Sequence, residues 1–326
     1  MFDGTLNLIK LKLQRHTYCS NLLPVNNKFV KINDFCERQY WLYAMCVCTM
    51  LTALKSSVPT LTHVVPSQSG DGVTAVTSLD DDVFVLRHSS QKAEVYDAVT
   101  FTLQRHITVH GLGSYTPGMT ACDINKCLYL SDYNNASIQK VELSGSDAVK
   151  KWSVASGPRG LSVNIAHNLV VACCESNKLQ EYTTHGSLVR EIYLQAGLKS
   201  PWHAIQLFTG DYVVSQYTSP GVVSVVGVDG QVLQSYGKSQ TSDVGPMKNP
   251  RSLDVTKNDD ILVADKDNDR ILSISRSTGC VQELDLSVDS GIKQPRGLCL
   301  DVSRGRLYVG EWGGLHRVLV FDGVRL

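Results

Sequence analysis

The chain carries no excess of charge, with 31 basic and 31 acidic residues among its 326. Nor does it have a long apolar run. Trp41–Leu54 is the longest, and its 14 residues fall short of the ~18–20 that cross a bilayer as a helix. The ten cysteines include no C-x-x-C pair, so the usual ligand spacing of a structural zinc site is missing. A Gly-rich phosphate loop, a G-x-S-x-G turn and a catalytic cysteine context are also missing, which argues against the common nucleotide and acyl-transfer chemistries. There is no low-complexity tract and no strong charge run. The cysteine spacing is irregular in a long chain. That favours buried reduced thiols over a disulfide framework, and with them a cytoplasmic location.

What is present is a repeat. Asn249–Gly279 (NPRSLDVTKNDDILVADKDNDRILSISRSTG) reads as three short strands, Ser252–Thr256, Ile261–Ala264 and Arg270–Ser275, with a fourth run at Cys280–Leu286. Each is rich in Val, Ile and Leu and is bounded by Asn, Asp, Ser or Gly. One such meander cannot bury its own apolar faces. Pro117, Pro158, Pro201, Pro250 and Pro295 each precede a comparable first strand, and Asp71 takes the same place one unit earlier. The steps are 46, 41, 43, 49 and 45 residues. Second strands align as VFVLRH, LYLSDY, LVVACCES, YVVSQY, ILVADKD and LYVGEWG. Six units of four strands predict an all-β, six-bladed β-propeller of antiparallel blades. The sixth unit has only Val324–Leu326 after its turn glycine. Thr60–Val65 is therefore expected to supply its outer strand and close the ring.

Two regions follow: an N-terminal extension at 1–58 and the propeller at 59–326. The extension holds seven basic and three acidic residues, which leaves the propeller at a net −4. That balance gives no overall pull toward DNA or an anionic membrane, and neither is an expected partner. Trp41–Leu54 reads as a helix packed on the propeller, as a secretory segment starting from a later Met such as Met45, or as a remnant of a larger region. Gly237–Lys248 is the largest insertion between blades and is expected to project as a mobile loop.

Val263–Ile271 (VADKDNDRI), placed after PRSLDV, resembles the NHL repeat, with its V-x-D, its short loop with Asn and its Arg-Ile. Tyr129–Ile138 (YLSDYNNASI) is a looser copy, and PRGLCLD…LYVGEWGG is another, with Glu311 in place of Asp. The first, third and fourth units depart from the pattern, with Arg87, Cys173 and Gln216 at that position. The resemblance covers residues ~59–326. It implies a six-bladed propeller of the kind found at the C-terminus of tripartite-motif (TRIM-NHL) ubiquitin ligases, where it binds protein partners or RNA. The spaced Cys/His pairs of a RING or B-box are missing. The resemblance therefore implies the recognition half without the catalytic half, and the chain is not expected to be an enzyme.

Period-two alternation in the inner strands points Gly160, Ser162, His203, Ile205, Ser252, Asp254, Gly297 and Cys299 into the central channel. His203 and Asp254 invite an acid/base or metal reading, but the several converging acids of a metal-dependent hydrolase are missing. No catalytic residue, metal or cofactor is assigned. Asp265 to Asp269 fit turn chemistry better than a calcium loop. The channel mouth is richer. The residue after each landmark Pro gives Gly118, Arg159, Trp202, Arg251 and Arg296, with Gly72 in the first unit, and the three Arg and one Trp read as a recognition ring. Pairing of each Arg with Asp132, Asp265 or Glu311 is the plainer expectation. The loops between second and third strands add His88, Tyr133, Tyr217, Lys266 and Trp312 on the same face, for ligand contact or for packing between blades. The expected function is a non-catalytic adaptor that binds a protein partner there, linked to ubiquitination by a separate subunit. Single-stranded RNA on the same face is the alternative partner. A channel-centred metal-dependent hydrolase is the third reading.

Overall fold

Each repeat folds as one meander, because its short β-branched runs are separated by residues that tolerate tight turns. The computed structural model describes residues 58–113, 118–145, 148–237, 244–286 and 291–324. A first strand, β1 (Thr60–Val65), stands ahead of the repeats. Blade one is β2 (Val73–Leu79), β3 (Asp82–Arg87), β4 (Lys92–Asp97) and β5 (Leu103–Thr108). Blade two is β6 (Met119–Cys122), β7 (Cys127–Asp132), β8 (Ser137–Glu142) and β9 (Val149–Ser153). Blade three is β10 (Pro158–Val163), β11 (Leu169–Cys173), β12 (Lys178–Tyr182) and β13 (Leu188–Tyr193). Blade four is β14 (Pro201–Gln206), β15 (Tyr212–Gln216), β16 (Val222–Val226) and β17 (Val232–Tyr236). Blade five is β18 (Pro250–Val255), β19 (Ile261–Asp265), β20 (Arg270–Ile274) and β21 (Val281–Glu283). Blade six is β22 (Pro295–Asp301), β23 (Arg306–Glu311) and β24 (Val318–Asp322), with β1 as its fourth strand.

The fold is thus an all-β propeller of six four-stranded antiparallel blades. The ring closes as the sixth repeat requires: Leu61 pairs with Phe321 and Val64 with Leu319. Inner strands touch their neighbours all the way round, with β22 against β2 completing the circle. Six apolar clusters fill the six blade interfaces. A middle strand is covered on both faces, so β7, β11, β15 and β19 are buried along their whole length, whereas in the outer strand β13 only Ile192 is buried.

Some details differ from the sequence reading. Inner strands of blades three to six start at the landmark Pro itself, and the fourth strand of blade five shrinks to three residues. Lys266–Asn268 forms a 3₁₀ turn. The described end of the Gly237–Lys248 loop packs rather than projects: Met247 is buried between blades four and five, and the Val244 carbonyl accepts from Arg270 Nη1 at 2.5 Å. Trp41–Leu54, Pro117 and residues 238–243 of that loop lie outside the described residues. The six cysteines among the described residues are free; Cys122, Cys127 and Cys173 are buried, whereas Cys280 is exposed. No helix of the described residues is long and apolar enough to cross a membrane.

Six strands converge on the axis, and glycine is needed where they approach most closely. A Cβ on Gly160 would overlap the His203 ring and sit 2.7 Å from the Trp202 carbonyl oxygen. Gly160→Ala is therefore expected to destabilise the protein by about 1–3 kcal/mol through overpacking. A denaturant midpoint lowered at unchanged slope is the expected signature.

Candidate functional site

At one end of the ring blades three to six open on a Pro preceded by a left-handed residue: Gly157, Ser200, Asn249 and Gln294 have φ of 70°, 51°, 61° and 46°. That turn, followed by the fixed φ of proline, carries the next residue to the channel mouth. The backbone there is tied to the preceding blade. Ser131 Oγ donates to the Arg159 carbonyl at 2.6 Å, and Ser215 Oγ donates to the Arg251 carbonyl at 2.7 Å.

The side chains so placed converge. Arg159, Arg251 and Arg296 put their guanidinium carbons 4.4, 3.7 and 5.3 Å from the centroid of the Trp202 ring. Each has a second aromatic partner from the ring of loops: Tyr133 at 4.3 Å from Arg159, Tyr217 at 4.5 Å from Arg251 and Trp312 at 4.3 Å from Arg296. Trp202 and Tyr217 tilt against each other at 5.9 Å, and His88 meets Trp312 edge-on at 4.7 Å. Cation–π contacts that exclude water contribute up to about 2 kcal/mol each. Burial, and then the charge of Arg296, hold the His88 imidazole below its ordinary value. Lys266 is buried at the edge of this group with its ammonium on Asp267 at 2.8 Å. Packing between blades and presentation of a face thus occur in the same residues, and Tyr217 is 54 % exposed.

The carboxylates expected to pair with these arginines also bind other groups. Asp265 accepts from Arg270 Nε at 2.9 Å, Glu311 from Arg317 Nε at 2.8 Å, and Asp132 from Asn135 Nδ2 at 2.7 Å. The same groups clamp the loop that enters the blade, since Asp265 and Glu311 accept the Lys248 and Lys293 N–H groups at 2.7 and 2.9 Å. In blade four Gln216 takes that place and accepts the Lys199 N–H at 3.1 Å. The recurring Lys-x-Pro in KSPW, KNPR and KQPR is the signal that could have exposed this clamp.

Beneath the mouth lies a cavity of ≈ 360 Å³. Arg159, Arg296 and Trp202 line its upper end, with His203, Ser252 and Asp254 below. His203 ties three blades together: its Nδ1 accepts the Leu253 N–H at 3.0 Å, which leaves Nε2 to donate to the Leu161 carbonyl at 3.0 Å. Asp254 accepts the Leu300 and Val255 N–H groups at 2.6 and 2.8 Å. Burial lowers His203 to about 4 and raises Asp254 to about 6. The signs are opposite. The His203 contribution is complete above its unfolded value of 6.5 and is lost as pH falls through about 4. The Asp254 contribution is complete below 3.8 and is lost as pH rises through about 6. In the wild type the two slopes oppose each other. Asp254→Asn is expected to unmask the first, so that its stability falls by about 2 kcal/mol more than that of the wild type between pH 7 and pH 4.5. Urea midpoints at the two pH values check this, and parallel slopes would refute it.

The opposite end of the ring holds a feature not anticipated from the sequence. Turns between first and second strands present Ile124, Ile165, Phe208 and Val302 at 64, 56, 64 and 38 % exposure. Among the described residues no group of three or more His, Cys, Asp and Glu is placed to hold a metal ion.

No known family profile matches the chain, and no curated protein matches it in sequence. Solved structures do match it. A streptogramin B lyase superposes with a TM-score of 0.58 at 12 % identity, over 80 % of this chain and 96 % of that one. Virginiamycin B lyase from Staphylococcus aureus gives 0.57 at 10 % identity, over 80 % and 99 %. Hydrazine synthase from Kuenenia stuttgartiensis gives 0.57 at 19 % identity, over 80 % and 79 %. At these identities the likeness is one of fold. It nonetheless corrects the expectation that this chain is not an enzyme. That expectation rested on missing motifs, and propellers of this form include lyases, so the missing motifs do not exclude catalysis.

Proposed function

We propose that residues 59–326 form an NHL-type recognition propeller, following an extension at 1–58, and that it binds a protein partner on its arginine-rich mouth. The observation that carries the reading is the convergence of Arg159, Arg251 and Arg296 on Trp202. Arginine and tryptophan grouped on a rigid surface are the residue types that dominate binding hot spots. Tyr133, Tyr217, Trp312, His88 and Lys266 surround them and offer planar faces and polar tips at low entropic cost. The inner strands beneath are locked by inter-blade bonds, so the face is pre-organised. A role in ubiquitination through a separate subunit rests on the NHL resemblance alone.

The test is capture of partners by immobilised protein. A variant with Arg159, Arg251 and Arg296 all changed to Gln is expected to lose the captured proteins, while Ile124→Ser, at the opposite end, retains them. Circular dichroism verifies that both variants are folded. Unchanged capture by the folded triple variant removes the mouth from the reading, and capture that ribonuclease abolishes transfers the reading to RNA.

A further inference from the structure

The channel opens at the end away from the arginines. Its lining runs from Arg159, Trp202 and Arg296 down to Ile165 and Phe208. Arg159 and Arg296 are only 8 and 7 % exposed, whereas Ile165 and Phe208 are 56 and 64 % exposed. A small molecule has its way in past the turns of blades three and four, and it meets covered side chains at the far end.

Partway along, each blade sets one side chain at the same height. Thr77, Thr120, Ser162, Ile205, Asp254 and Cys299 each pair with the residue three places before the end of the second strand, and all six line the cavity. Asp254 stands three residues from Arg251 along β18, roughly 10 Å of extended chain. Its two oxygens accept the Val255 and Leu300 N–H groups, one each. A carboxylate oxygen has two acceptor sites, so each keeps one. Among the described residues no basic side chain pairs with Asp254. An ionised carboxylate held out of bulk water without a cation is costly, and a cation in the channel relieves that cost.

The surroundings select the kind of cation. No three metal-ligating groups of the described residues converge here, so an inorganic divalent ion lacks its ligand set. An ammonium has three donors, which suit one carboxylate flanked by the Thr77 and Thr120 hydroxyls. Toward the opening the lining includes Val163, Val255, Ile165 and Phe208. Asn164 and Gln206, the polar residues there, bond to Glu181 at 2.8 Å and to the Gly210 carbonyl at 2.9 Å. A second positive charge carried past Asp254 would approach the arginines and be repelled, so the ligand is a monocation. The cavity of ≈ 360 Å³ is at the lower end of the range for small-ligand pockets.

We infer that the channel takes a small organic ammonium ion, which enters at the turn end, sets its charged head on Asp254 and lays its apolar body against Ile165 and Phe208. This site is separate from the recognition reading of the mouth and does not depend on it. Burial raises the Asp254 carboxyl to about 6, against the two backbone hydrogen bonds. Below that value it is neutral and the ammonium loses its partner, so binding strengthens as pH rises from 5 to 7.5. The other titratable groups of the channel hold their charge in this window: burial lowers His203 of β14 to about 4 and raises Cys299 of β22 to about 12. Asp301 of β22 is paired with Arg304 at 2.9 Å. Asp265, Lys266, Asp267 and Arg296 lie at the mouth end of the elements packed on β18.

The test uses the full chain with phenethylamine and 2-phenylethanol, read by isothermal titration calorimetry at pH 7.5. The ammonium is expected to bind at least about tenfold more tightly than the alcohol of similar shape. Its affinity falls about tenfold at pH 5, where about one Asp254 in ten is ionised, while that of the alcohol is unchanged. Asp254→Asn removes the preference for the ammonium, and Phe208→Ser, on an exposed turn, weakens both ligands about threefold. The comparison of ligands is made on the wild type, so it stands even if Asp254→Asn fails to fold. Equal binding of the two, binding of neither, an ammonium affinity that ignores pH, or tighter binding of 3-phenylpropionate overturns the inference. A folded Asp254→Asn variant that keeps the preference overturns it as well. Arginine-dependent capture of protein partners is measured separately, so the two readings fail independently.

Discussion

Asp265→Ala is expected to cost the protein about 3–5 kcal/mol, measured as a lowered denaturant midpoint at constant slope. The Asp265 side chain is 0 % exposed and that of Arg270 only 12 %. Loss of the carboxylate strands a buried cation, and it also frees the Lys248 N–H and the Asn268 amide, which it accepts at 2.7 Å each. Those contacts hold the segment that leads into Pro250 and Arg251, so the variant is also expected to loosen one arginine of the mouth. The control acts on the same arginine. Glu283 lies 4.0 Å from Arg270 but is 60 % exposed. An exposed pair contributes little, so Glu283→Ala is expected to shift stability by at most about 0.5 kcal/mol. Two carboxylates beside one guanidinium thus separate burial from mere proximity. Equal effects of the two substitutions would show that the clamp does not depend on burial.

The clamp also explains why some blades resembled the repeat more than others. Where the sequence has Asp265 or Glu311, the acceptor stands at the end of the second strand and the arginine follows it. Blade one exchanges the charges: Arg87, only 2 % exposed, pairs with Glu94 at 2.9 Å and reaches back to the Asp71 carbonyl. Blade three moves the acceptor to Gln180, whose Oε1 takes the Ala155 N–H at 2.8 Å. A pattern of residue types sees Arg87 and Cys173 as failures, yet physically the loop is tied in both blades.

The number of blades and the closing strand were legible in the sequence because they depend on local turn chemistry and on a count of strands. Which side chains meet at the mouth was only half legible. The spacing after each Pro gave the ring positions of Arg159, Arg251 and Arg296. It could not give their stacking on Trp202, because the nearest acidic residues looked like the simpler partners. The apolar turn tips at Ile124, Ile165, Phe208 and Val302 went unread for a related reason. A single apolar residue in a polar turn carries no signal until six turns are brought to one end.

Removal of β1 should have the largest effect of all. A chain starting at Pro66 is expected to lose on the order of 5 kcal/mol relative to one starting at Val58. That is comparable to the whole stability of an ordinary domain. The loss has two parts. Val65, 4 % exposed, and half-buried Leu61 leave the apolar clusters at the blade-six interfaces. The backbone of β24 also loses the partners paired with Val318, Leu319, Val320, Phe321 and Asp322. Those strand residues are otherwise covered, with Val318 to Phe321 at 0 % exposure. The bare edge then pairs with other copies, so the shortened chain is expected to elute as oligomers in size-exclusion chromatography. A synthetic peptide spanning residues 58–65, added in excess, is expected to restore the monomer and most of the melting temperature, because it supplies the missing strand without the covalent link. If the shortened chain stays monomeric and melts within a few degrees of the longer one, β1 is a dispensable cover and blade six is stable with three strands. Rescue by the peptide would instead show that the ring is held shut by pairing across its seam and not by the five complete blades alone.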